Sequence, residues 1–180
     1  MTSQAHATTL DPGPVREARA LRPVDVDAAD AARMLVALHE RVERQFEAYE
    51  AAEGSTAARY RAVAAVARTL ATHVAVEDEL LYPTLQAHTG RHDAEIERQL
   101  AQDHLLDLVM VELGGMIPSD RGYDGKVQVL VQVFRQHARD AEALLVPELR
   151  RRLGPAEREL LGRRVLERVG QLEGRPRRGW

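Results

Sequence analysis

Apolar residues recur along this chain at the three- and four-residue spacing of helices, and strand-type alternation is hard to find anywhere. From about Ala28 to Glu53 the stripe is Leu35, Leu38, Val42, Phe46 and Tyr49. Gly54-Ser55 ends that helix; Asp25 or Asp27 is placed to cap its start, and Ser55 to cap the next. A second helix over about Thr56 to Ala87 carries Val63, Val66, Leu70, Leu80 or Leu81, and Leu85, with Pro83 expected to kink it or end its regular part. A third over about Asp93 to Met116 shows Leu100, Leu108 and Val111 on one side, before Gly114, Gly115 and Pro118 stop it. The fourth, about Lys126 to Leu153, carries Leu130, Phe134 and Leu145. Gly154-Pro155 then separates a shorter amphipathic helix, Ala156 to about Val169, through Leu160, Leu161, Val165 and Val169.

Four long helices with short connections predict an all-α, up-down-up-down four-helix bundle over residues 25–153. The extra short C-terminal helix, within residues 154–173, is expected to pack on the outside. Residues 1–24, with three prolines and no sustained periodicity, read as a flexible arm, and residues 174–180 as a basic tail.

Composition narrows the chemistry. A length of 180 residues suits one domain with a substantial core, and a net charge of −3 gives no strong field for nucleic acid or membrane. The start of the chain lacks the apolar segment of a secretory signal, and no run approaches the ~20 apolar residues that cross a bilayer. These features lead to the expectation of a cytoplasmic protein with small-molecule partners, no nucleic acid and no membrane, present as a monomer or weak dimer. Cysteine is absent, so a metal here has only histidine nitrogen and carboxylate oxygen to hold it.

Such donors occur in a pattern. His73-Val-Ala-Val-Glu77-Asp-Glu-Leu-Leu-Tyr-Pro83-Thr-Leu85 returns, altered, as His137-Ala-Arg-Asp-Ala-Glu142-Ala-Leu-Leu-Val-Pro147-Glu-Leu149. Each copy puts an imidazole and a carboxylate about one helical turn apart. His39 lies in the apolar stripe of the first helix, and His104 in that assigned to the third. Counted from the three turns at 1.5 Å per residue, His39, His73, His104 and His137 fall within roughly one helical turn of the same height. Four imidazoles with Glu77 and Glu142 in one core layer need a cation to satisfy them, so the layer reads as a metal site, one holding two ions. Glu43, one turn after His39, is a further ligand or hydrogen-bond acceptor, or else a surface charge. Asp103 and Asp107 bracket His104 and raise the same question, and Tyr82 can donate a hydrogen bond near the metal. His6, His88 and His92 lie away from the layer and are expected to be solvated.

These residues resemble the hemerythrin-like, or HHE cation-binding, family: histidine on helix one, H-x-x-x-E on helix two, histidine on helix three, and histidine plus carboxylate on helix four. The Glu-Leu-Leu-Tyr-Pro sequence ending at Pro83 is similar to the family's continuation. The resemblance implies a non-haem centre of two iron ions bridged by Glu77 and Glu142, with His39 and His73 on one ion and His104 and His137 on the other. It implies binding, sensing or detoxification of dioxygen-derived species such as peroxide, or of nitric oxide, extending to a catalase-like reaction. Oxygen carriers of the family have a second helix-three histidine where Leu108 stands, which favours chemistry over simple oxygen carriage. In helix four the carboxylate stands five residues after the histidine, with Ala141 at four. The same ligands also suit a metal- or redox-responsive signalling module without turnover, or a zinc or structural metal site.

Overall fold

The computed structural model describes residues 30–89 and 93–174, and the described residues are helical with short turns. The helices are α1 (Ala31–Ala51), α2 (Thr56–Val76), a π-helical segment (Glu77–Leu81), α3 (Tyr82–Thr89), α4 (Ala94–Gly114), α5 (Tyr123–Arg152) and α6 (Pro155–Gly174). α2, the π segment and α3 form one continuous rod, so four long helices make the bundle and α6 is added to it, as the apolar periodicity predicted. The arm 1–24, the candidate caps Asp25 and Asp27, His6, His92 and the tail 175–180 lie outside the described residues.

Local chemistry sets the helix ends. Asp30 caps α1 by accepting hydrogen bonds from the backbone N–H of Ala32 (2.9 Å) and Arg33 (3.4 Å). Its other oxygen accepts from Arg158 Nε at 2.7 Å, which ties the start of α6 to the start of α1. Ser55 and Asp93 cap α2 and α4 in the same way. Gly54, at φ 83°, supplies the left-handed residue that the turn before α2 requires.

Pro83 does not end the second rod. A proline there lacks the N–H of a regular turn, and its ring would collide with the carbonyl four residues back. The helix widens ahead of it: the Tyr82 N–H bonds to the Glu77 carbonyl, five residues back. The additional residue in that turn brings Leu80, Leu81 and Tyr82 all into the core, where regular periodicity would admit fewer.

Two apolar clusters fill the bundle. One gathers Leu35, Leu38, Leu81, Leu85, Ile96 and Leu145 with Leu161 and Val165 of α6; the other gathers Val42, Phe46, Val66, Leu70, Leu106, Leu130 and Phe134. Between them lies a buried polar layer containing His39, His73, Glu77, Asp103 and His137. α6 is longer than its sequence pattern predicted and lies against α1, α2 and the π segment. Arg168 there pairs with Glu79 at 2.7 Å, and Arg41 with Glu173. α4 packs chiefly on α5. No helix among the described residues is long and apolar enough to cross a membrane.

Candidate metal centre

α1, α2, the first residue of the π segment and α5 each deliver one donor to the polar layer. His39, His73, Glu77 and His137 are all buried, and one ligand atom from each lies within 4.8 Å of those of the others. His73 Nε2 is 2.9 Å from His137 Nε2 and 3.0 Å from Glu77 Oε2, and His137 Nε2 is 3.3 Å from the same oxygen. His39 Nε2 lies 4.0 Å from Glu77 Oε1. The Phe134 ring packs against all three imidazoles, at centroid distances of 5.8–6.1 Å, and closes one side with hydrocarbon.

The outer nitrogens of two of these histidines face carboxylates. His39 Nδ1 donates to Glu142 Oε1 at 2.8 Å, and His137 Nδ1 lies 3.3 Å from Asp103 Oδ1. Asp103 is in turn held by the Tyr82 hydroxyl, which donates to Oδ2 at 2.7 Å. A carboxylate behind a ligating imidazole fixes its tautomer and orientation and raises its basicity.

Burial and the neighbouring charges shift the ionisable groups of this layer in different directions. Burial opposes charge on Glu77, but the flanking His73 and His137 imidazoles outweigh it and hold the carboxyl well below the usual range. Burial, reinforced by the neighbouring imidazoles, keeps His39 neutral far below the ordinary histidine value. For His137, burial is outweighed by Glu77 and Asp103, which favour its protonated form. Burial and the Glu77 charge push Asp103 up to about 8. Meanwhile His39 Nε2 and both Glu77 oxygens are buried without a well-formed hydrogen bond. Orphaned acceptors of this kind are costly, and a metal ion satisfies them together.

Over residues 30–149 the chain matches the family model described as the hemerythrin HHE cation-binding domain. This chain belongs to the hemerythrin HHE cation-binding family. Among solved structures it is similar to a hemerythrin HHE cation-binding domain-containing protein from Mycobacterium kansasii, with a TM-score of 0.69 and 24% identity over 81% of this chain and 88% of that one. That likeness concerns the fold. No curated protein sequence matches it.

Within this HHE domain the structure distributes the sequence-derived residues unevenly. His39, His73, Glu77 and His137 converge. His104 does not: it is exposed, on the outer side of α4 with Leu100, Leu108 and Val111, the stripe taken from sequence as inward. α4 instead buries Ile96, Gln99, Asp103, Leu106, Met110 and Leu113. Those positions alternate in steps of three and four, a heptad-like signal that was present in the sequence and competed with the Leu-His-Leu stripe. Glu142 reaches the site only through His39 and leaves its side chain 42% exposed. Glu43 is bound to Arg135, away from the donors. Asp107 and His88 are exposed, while Tyr82 is buried behind Asp103.

Proposed function

We propose that this HHE domain holds iron at His39, His73, Glu77 and His137 and there binds dioxygen-derived species, peroxide in particular, or nitric oxide. The observation that carries this reading is the meeting of three imidazoles and a carboxylate from three rods in one buried layer. Three imidazoles and one carboxylate suit a borderline ion such as iron, and leave open positions on an ion that prefers six ligands. When bound, iron would supply those open positions and its redox electrons. The chain's own residues do the rest. Glu142 orients His39 through its hydrogen bond to Nδ1, and Asp103 sets a carboxylate 3.3 Å from His137 Nδ1. Tyr82 holds Asp103, and the Phe134 ring covers one side of the imidazoles.

The test is spectroscopic. Protein loaded with ferrous iron under nitrogen is expected to retain it through desalting. It should develop ligand-to-metal absorption on adding peroxide, and a distinct iron–nitrosyl spectrum with nitric oxide. Retention of zinc with rejection of iron, or bound iron that responds to neither molecule, would contradict the reading and favour a structural metal.

A further inference from the structure

The spacing and direction of the donors distinguish one ion from two. Donors at right angles or tetrahedral angles around one ion, each about 2.0–2.2 Å from it, are about 3–3.4 Å apart. The three separations among His73 Nε2, His137 Nε2 and Glu77 Oε2 are 2.9, 3.0 and 3.3 Å. In a two-metal centre the ions themselves stand about 3.5–4 Å apart, so terminal imidazoles on different ions lie farther apart than that. His73 and His137, which the family resemblance assigns to different irons, point their Nε2 atoms at the same place.

The carboxylates agree. A bridged pair needs a second carboxylate between the ions. On α5 the position one turn after His137 is Ala141, fully buried and without a donor. Glu142, five residues on, is rotated about 140° around the helix from His137, and it binds the outer nitrogen of His39. Asp103 likewise faces the outer nitrogen of His137, and the only histidine of α4, His104, is outside. Glu77 is therefore the one carboxylate among the inward donors, enough to offset part of one divalent charge and far short of two in a water-poor layer.

We infer that this chain binds a single metal ion at the point where His73, Glu77 and His137 converge, with His39, whose Nε2 stands 4.0 Å from Glu77 Oε1, as the fourth and more distant donor. Glu142 is the positioning residue of His39, and Asp103, 3.3 Å from His137 Nδ1, is the carboxylate set behind His137. The donor set does not fit the carboxylate-bridged iron pair. This inference rests on the metal-binding reading above.

The experiment measures metal per chain by mass spectrometry after loading with excess ferrous iron, air oxidation and desalting, together with the electron paramagnetic resonance of the ferric form. One iron per chain, with a high-spin ferric signal whose spin count equals the iron content, is expected. Two irons per chain, with the signal quenched by coupling between them, would overturn the single-ion inference while leaving the metal-binding reading intact. If no iron, zinc or manganese is retained, that reading fails and the inference fails with it. Variants give an independent arm. Glu142→Gln and Asp103→Asn are each expected to keep the one-ion stoichiometry and weaken affinity roughly 10–100-fold, as loss of an imidazole's outer partner does. Two ions in the parent falling to one in Glu142→Gln would identify Glu142 as a ligand and contradict the assignment.

Discussion

The two histidine–carboxylate stretches share a sequence pattern, but the fold uses them differently. In the first, His73 and Glu77 are four residues apart and both enter the core, 3.0 Å from each other. In the second, His137 enters but its carboxylate stands one residue later, so Glu142 leaves the bundle interior and braces His39 from α1. A displacement of one residue along a helix turns a side chain by about 100°, enough here to take Glu142 out of the donor cluster and onto the outer nitrogen of His39. α4 repeats the lesson with neighbours: Asp103 faces the site while His104 faces solvent. Residue type alone does not assign a role; the helical angle does.

The asymmetry should be widest between the two glutamates. Glu77→Gln is expected to abolish stoichiometric iron binding, because it removes the one carboxylate of the four-donor cluster found among the described residues, whereas Glu142→Gln retains a full complement at reduced affinity; titration with a competing chelator separates them. Equal losses would erase the distinction. The two faces of α4 offer a stability contrast. Leu106→Ala, at a fully buried position, should cost about 2–5 kcal/mol. Leu108→Ala, at a residue 49% exposed, should stay within about 0.5 kcal/mol. Denaturant midpoints at constant slope would decide it, and the reverse order would restore the stripe read from sequence. A finer contrast is that Asp103→Asn weakens metal binding about 10–100-fold, while His104→Ala leaves it unchanged, both by chelator titration. The smallest effect concerns the scaffold: Asp30→Ala should destabilise by about 1 kcal/mol through loss of the α1 cap, with metal content unaltered.

Much of this was legible in the residues. Helix number, order and turns followed from the apolar periodicity and from Gly54-Ser55 and Gly154-Pro155, because long amphipathic helices bury one face whatever surrounds them. His39, His73, Glu77 and His137 fall on stripes that the fold does bury together, while His104 and Glu142, read on the same grounds, fall outside the cluster. α4 was not, because it presents two apolar faces. One holds Ile96, Leu106, Met110 and Leu113, the other Leu100, Leu108 and Val111, and only packing against α5 selects between them. The π segment also escaped a regular reading, since Pro83 signals a disruption without specifying that a wider turn, rather than a break, absorbs it. The sequence pattern reads Glu142 as a ligand in the layer, whereas the step from four residues to five places it on the outer nitrogen of His39, a consequence that spacing alone does not resolve.

What occupies the space between His73 and His137 decides between one ion and two. Anomalous diffraction at the iron edge, on crystals of the iron-loaded protein, would locate each ion directly. A single peak within bonding distance of the Nε2 atoms of His39, His73 and His137 and of the Glu77 carboxylate is expected, with Glu142 remaining on His39 Nδ1. Two peaks bridged by Glu77 and an inward-turned Glu142, or any peak ligated by His104, would contradict it.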